Sequence, residues 1–267
     1  MTAPSTTTID RDLAAPMPLR RILDAYLCEM DYELRRMLRT PGFAIPFLLL
    51  PVPIYLFFGV VLAGPAVATR PSLANYLASG WMVYAAMGPA LFGVGCALAL
   101  ERDAGLLKLK RALPAPAGAY LAAKLAVGAI LGAIGVVSVM VAGRLAGDVT
   151  LSVPQLVLMG AVMVLGTAPF GAIGLFIGAH VPGSVAPAIA NLVFLPMLWL
   201  SGLFFPLPKF IEPFVVVWPA FHLNQVALGV AGVTEYRFIA PAISAAVLLG
   251  VTVLFGGLAV RRLARKG

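Results

Sequence analysis

The sequence predicts an all-α integral membrane protein: an N-terminal amphipathic interfacial helix, then six transmembrane helices, with both termini on the cytoplasmic side. Three observations predict it. Of 267 residues, 61% are hydrophobic and only 11% are charged, against roughly 25% charged in an average soluble domain. Six apolar runs are each long enough to cross a hydrocarbon core, which takes about 20 residues as helix. Lys and Arg gather on alternate sides of those runs. Charge this sparse cannot cover a soluble fold of this length, so the apolar excess calls for lipid as its solvent.

The elements follow in chain order. Residues 1–18 are polar, Thr-rich and Pro-containing. They lack the apolar core of a secretory signal peptide and read as a disordered cytoplasmic tail. Over residues 19–40, Leu19, Ile22, Leu23, Tyr26, Leu27, Met30, Leu34, Met37 and Leu38 recur at helical spacing. Arg20, Arg21, Asp24, Glu29, Asp31, Glu33, Arg35, Arg36 and Arg39 fill the other faces, with Asp31 and Arg35 at the favourable i,i+4 spacing. Such a helix lies flat on the cytoplasmic lipid surface and can also offer a docking face to a cytosolic partner. Pro41 and Gly42 break it, and residues 41–267 form the transmembrane domain.

The apolar runs cover approximately 43–63, 73–98, 120–142, 155–178, 185–205 and 238–260. None contains Asp, Glu or Arg, and Lys124 stands only at the rim of the third. Helix is the expected state because lipid cannot satisfy free backbone groups, and the alternating polarity of a membrane barrel is absent. The segment before the first run holds Arg11, Arg20, Arg21, Arg35, Arg36 and Arg39. The loop between runs two and three holds Arg102, Lys108, Lys110 and Arg111, and the tail holds Arg261, Arg262, Arg265 and Lys266. The other side has only Arg70, Arg144, Lys209 and Arg237. This asymmetry puts both termini in the cytoplasm of a bacterial-type inner membrane. The net charge of +8 is therefore mostly a topology signal, and no nucleic-acid partner is expected. Between runs five and six, Pro206, Pro208, Pro213 and Pro219 cut an apolar external segment into pieces too short to span. It reads as re-entrant or interfacial, with Trp218, Phe221 and Tyr236 suited to the aromatic belt. Cys28 and Cys96 imply no disulfide framework.

The chemistry that is missing narrows the function. There is no GxxxxGK[ST] phosphate loop and no His or Cys pair at metal-ligand spacing, so no catalytic, cofactor or metal residues are expected. His180 and His222 stand alone. The polar groups within the runs are neutral: Asn75, Ser138, Thr167, Asn191, Ser201, Ser244 and Thr252. Most are expected to hydrogen-bond neighbouring helices. Asn191 and Ser201 are the candidates for lining a transport pathway. Ion-coupled carriers keep costly ionisable groups in their spans, and embedded enzymes cluster them at one depth. Neither pattern occurs, although an ion-coupled secondary transporter and a membrane enzyme or assembly factor remain the alternatives. A transport scaffold without its own energy source implies a partner that supplies it.

One charged run interrupts the apolar sequence: residues 100–116, LERDAGLLKLKRALPAP. Its pattern E-x-x-x-G-x-x-x-x-x-R-x-x-P-x-P, on Glu101, Gly105, Arg111, Pro114 and Pro116, resembles the first cytoplasmic loop of the ABC-2 type transporter permeases. A second resemblance is SGLFFP at residues 201–206, followed by Pro213 and WPAFHLNQVALG. Together they cover the chain from about Arg20 to the tail. The resemblance implies a non-catalytic permease half-transporter that pairs with a second permease and rests on a separate ATP-binding cassette subunit, where ATP and Mg would bind. The charged loop would be the coupling helix, carried by Glu101, Arg102, Asp103, Gly105, Lys108, Arg111, Pro114 and Pro116. The neutral, apolar spans point to a hydrophobic or amphiphilic substrate such as a drug, a lipid or a lipid-linked molecule. Glu101 and Asp103 add little to membrane orientation, so topology alone does not explain them; with Arg102 they stand where the second span ends and can pair with the N-terminal helix.

Overall fold

In the computed structural model the described residues are 17–112, 115–116, 118–206 and 209–266, and all regular structure among them is helical. The expected tail lies almost wholly outside the described residues, as does Pro114. Helix α1 (Leu19–Leu38) ends beside Arg39. Pro41 then opens α2 (Pro41–Leu62) in its first turn, where a missing N–H costs nothing. Pro46, Pro51 and Pro53 remove donors farther along, and α2 widens into π-helical turns at Ile45–Leu49 and Leu56–Leu62. Helix α3 (Ser72–Asp103) has a similar turn at Pro89–Gly93. The short α4 (Leu106–Ala112) precedes α5 (Ala119–Ala146), α6 (Val153–His180), α7 (Ala186–Leu200), α8 (Pro219–Val230) and α9 (Pro241–Lys266).

Among the described residues five helices, α2, α3, α5, α6 and α9, are long and apolar enough to cross a membrane. The fifth of the six expected runs forms a shorter apolar helix than expected. Helix α7 has only 15 residues, about 22 Å of rise. It carries Pro196 inside and stops at Leu200, because Gly202 takes a left-handed conformation with φ +64°. Residues 201–206 then fold against α3. The Tyr76 hydroxyl donates to the Gly202 carbonyl and lies 3.3 Å from the Phe205 carbonyl. Gly80 allows this contact, since a Cβ there would sit 1.8 Å from the Leu203 carbonyl oxygen. Gly80→Ala is therefore expected to push the segment off α3 and cost about 2 kcal/mol, as overpacked cores do. An unchanged thermal unfolding midpoint for the purified variant would contradict this packing account.

Helix α3 runs through the centre and is buried along most of its length, whereas α2 and α9 leave most of their surface uncovered. The main core joins Met82, Met87 and Leu91 of α3 to Phe170 of α6, Met197 of α7 and Leu203. Helix α8 belongs to the segment expected to be re-entrant or interfacial. It packs against α9, the first half of α6 and the first half of α3. That placement corrects the aromatic-belt expectation: Phe221 and Tyr236 are buried inside the protein, and only Trp218 is partly open. His222 sits in the same layer, between the Ser244 hydroxyl at 3.1 Å and the Val216 carbonyl at 2.8 Å.

The spans separate two polar ends. At one, Asn75 pairs with Thr150, Gln155 donates to the Ala231 carbonyl, and Ser72 donates to Glu235. At the other, α1, α4, the start of α5, the turn after α6 and the end of α9 converge.

Candidate functional site

This second end is where the charged run lies, and its geometry starts with α1. The apolar residues of α1 divide into two stripes. Met30, Leu34 and Met37 pack with Val127 and Leu131 of α5. Leu19, Leu23 and Leu27 stay exposed, one helical turn apart. The inward stripe brings Glu33 with it, because residues three and four apart share a helix face. Glu33 was expected on a polar outer face, but only 4% of it is exposed.

Glu33 meets Lys124, a fully buried lysine in the first turns of α5. Lys124 Nζ lies 2.9 Å from Glu33 Oε1 and 3.0 Å from Glu101 Oε1. Arg36 closes the ring, with Nη2 2.6 Å from Glu33 Oε1 and Nη1 2.5 Å from Glu101 Oε1. The Tyr120 hydroxyl donates to Glu101 Oε2, and Lys124 Nζ stands 4.8 Å from the Tyr120 ring centroid. Two cations and two carboxylates thus neutralise one another, which is the condition under which charges are tolerated in a low-dielectric interior. Burial draws the Arg36 guanidinium down, but Glu33 and Glu101 outweigh it and raise its pKa above the ordinary value, so it stays charged. The cluster fastens α1, α3 and α5 together.

The rest of the charged run makes further ties. Arg102 Nη1 donates to the Gly178 carbonyl at 2.8 Å and Nη2 to the Val181 carbonyl at 2.9 Å. These are the free carbonyls at the end of α6, where a cation is favoured by the helix dipole. Asp103 Oδ2 accepts the Gly183 N–H at 2.6 Å. Gly105, at φ +75°, supplies the left-handed turn between α3 and α4 that a side chain would strain. In α4, Lys110 pairs with Glu29 of α1, and Arg111 Nη2 donates to the Leu263 carbonyl of α9 at 2.6 Å. Leu107 packs inward. Leu106, Lys108 and Leu109 face out, Leu109 with 61% of its surface exposed. Pro116 accepts the Ala119 N–H at 3.0 Å and starts α5.

The structure thus brings together the expected residues Glu101, Arg102, Asp103, Gly105, Lys108, Arg111 and Pro116, but in unlike positions. Glu101 is an internal tie and not an exposed contact. Lys108 is exposed. The expected pairing of this charged run with the N-terminal helix is met by Arg36 and Glu101, whereas Glu33, Lys110 and Tyr120 were not singled out as partners and Lys124 was read as a rim residue. The available signal was Lys124 itself, since a cation in an apolar span needs a carboxylate. The two pathway candidates lie apart from this end. Asn191 is exposed on α7 and donates to the Pro187 carbonyl of its own helix at 3.1 Å. Ser201 is buried at the end of α7, and its hydroxyl has no partner among the described residues.

The sequence model of the family described as ABC-2 type transporter matches residues 27–238, well over half of the chain. A curated relative, "Putative transport permease YvfS" of Bacillus subtilis (strain 168), is 25% identical over 198 residues, spanning 73% of this chain and 80% of the relative.

Proposed function

Because the chain belongs to the ABC-2 type transporter family, a family of membrane permeases that work with an ATP-binding subunit, we propose that it is the membrane-spanning subunit of an ATP-driven exporter. It pairs with a second permease, binds no cofactor itself, and leaves ATP and Mg to the partner. Helix α7 and residues 201–206 together complete a sixth crossing, so both termini face the cytoplasm of the bacterial inner membrane. The apolar spans favour a hydrophobic or amphiphilic substrate.

The observation that carries this reading is α4. It projects Leu106, Lys108 and Leu109 outward from a base held on three sides: by Glu29 through Lys110, by Leu263 through Arg111, and by the buried four-charge cluster through α3. A short helix pinned in this way is rigid enough to pass on a push. Two exposed leucines beside a lysine are suited to a pocket on a soluble protein. Glu101 acts in this scheme as a positioning residue and Arg102 as the link to α6.

The test is purification of the tagged full chain from native membranes. The expected result is recovery with a soluble protein that carries a Walker A loop. Leu109→Glu should reduce that recovery at least about tenfold, the loss expected for a buried apolar anchor replaced by a charge, while insertion stays normal. The buried Lys124–Glu33–Glu101 cluster is the one observation that favours an ion-coupled carrier instead. That reading requires the chain alone, in proteoliposomes without ATP, to move substrate on an ion gradient.

A further inference from the structure

A polar cleft of about 470 Å³ opens at the end of the spans opposite the charged loop, within the roughly 300–1,000 Å³ range of small-molecule sites. Arg144 and Leu145 of α5 line it, with Asp148 and Thr150 from the turn before α6 and Val67 and Pro71 from the segment between α2 and α3. Its walls are fixed. The Thr150 N–H donates to Asn75 Oδ1 at 3.0 Å, and Thr150 Oγ1 accepts from Asn75 Nδ2 at 2.9 Å. Arg144 Nη1 donates to the Val149 carbonyl at 2.9 Å, and Val149 and Val67 are buried. A Cβ at Gly147 would lie 2.2 Å from the hydroxyl of the buried Tyr55, so glycine lets the turn press against α2. Asp148 then takes a left-handed conformation at φ +51°, which Asp and Asn tolerate better than other side chains.

Two unlike charges line this cleft, yet neither Arg144 nor Asp148 belongs to an ion pair among the described residues. Such a pair fits a ligand that carries both signs. Arg144 has further guanidinium donors and Thr150 has its hydroxyl proton to offer an anion, while the Asp148 carboxylate only accepts. A carboxylate takes hydrogen bonds from a primary ammonium. A quaternary ammonium has no N–H and is recognised by aromatic faces, and no aromatic ring lines the cleft among the described residues. An anionic ligand without an ammonium would leave Asp148 beside a second negative charge. Position says where the ligand comes from. Arg144 lies about 30 Å along α5 from Lys124, one hydrocarbon thickness, and so stands at headgroup level. Val141 and Leu145, one turn apart on α5, are exposed, Leu145 by 81%, where acyl chains would lie.

We infer that this cleft binds the headgroup of a phosphoethanolamine lipid from the leaflet opposite the charged loop, with phosphate on Arg144 and Thr150 and ammonium on Asp148. The inference requires only that α5 cross the bilayer, so it stands apart from the export reading. The full chain, stripped of lipid in detergent, is titrated with dioleoyl phosphatidylethanolamine, phosphatidylcholine and phosphatidylglycerol, and bound lipid is counted by native mass spectrometry. The ethanolamine lipid should bind at least about fivefold tighter than the other two, the worth of one partly exposed charge pair. Asp148→Asn, which keeps the left-handed turn, should erase that preference. Arg144→Gln should weaken the ethanolamine lipid by at least about fivefold. Both variants should keep the size-exclusion profile of the parent. Glycerophosphoethanolamine, which has the headgroup without acyl chains, should fail to displace the lipid at about a hundredfold excess, because the acyl contribution is missing.

Equal affinity for the three lipids would overturn the inference. So would an ethanolamine preference that survives Asp148→Asn, or full affinity in Arg144→Gln. Displacement by glycerophosphoethanolamine would overturn the lipid assignment and make the ligand a soluble compound of the same headgroup chemistry.

Discussion

Replacing Lys124 with methionine is expected to destabilise the chain by about 3–5 kcal/mol, the usual cost of removing one partner from a buried ion pair. Lys124 is fully buried and bonds Glu33 and Glu101 at 2.9 and 3.0 Å. Without it, two carboxylates share the Arg36 guanidinium, and their mutual repulsion is no longer offset. The penalty comes from leaving charge unpaired, not from losing side-chain volume. The double variant Lys124→Met with Glu33→Leu restores the balance, leaving Arg36 against Glu101, and should recover most of the loss. For a chain of this size the single change should lower the unfolding midpoint by roughly 10 °C, readable by tryptophan emission in one detergent. If the double variant unfolds no later than the single one, charge balance is not what holds α1, α3 and α5 together.

The second large effect is expected from Glu101→Ala combined with Arg102→Ala. Glu101 ties α3 to α1 and α5, and Arg102 ties it to the carbonyls of Gly178 and Val181 at the end of α6. With both gone, α4 keeps its outward face and its ties to α1 and α9, but the ties that run from its base to α5 and α6 are lost. ATP hydrolysis by the partner should persist while transport falls at least about tenfold, equivalent to some 1.4 kcal/mol of lost coupling. The ratio of transport to hydrolysis is the informative quantity, because simple destabilisation would lower both together. Arg102→Lys should rescue poorly, since a lysine lacks the planar fork that reaches two carbonyls at once. Normal transport by the double alanine variant would refute the coupling role.

Much of the architecture was legible in the chain itself. Long uncharged apolar runs can only be satisfied as helix in lipid, so the helical class and five of the runs, now α2, α3, α5, α6 and α9, follow closely from composition. The periodicity of residues 19–38 marked α1, and the charged loop at residues 100–116 marked the polar end. The fifth run ends as a helix earlier than hydropathy suggests, because Leu203, Phe204 and Phe205 are apolar but lie outside α7. Only the left-handed backbone at Gly202 and the close approach at Gly80 reveal that the chain turns there. Phe221 and Tyr236 were misplaced for a related reason, since an aromatic ring suits a membrane interface and a protein core equally well.

The sequence by itself determined the helical class and which long runs are apolar enough to cross a membrane, because both depend on the chemistry of each segment alone. It also determined that residues 100–116 had to carry more than an orientation signal, since Glu101 and Asp103 contribute little to orientation. Only the tertiary structure decided what those charges do. Lys124 meets Glu33 across 91 positions and Glu101 across 23, and Arg102 reaches Gly178 across 76. A charge inside a membrane protein is stable only with its partners in place, and those partners are set by how the helices pack. That packing made Glu101 an internal tie to α1 and α5, and left Leu106, Lys108 and Leu109 as the face turned outward.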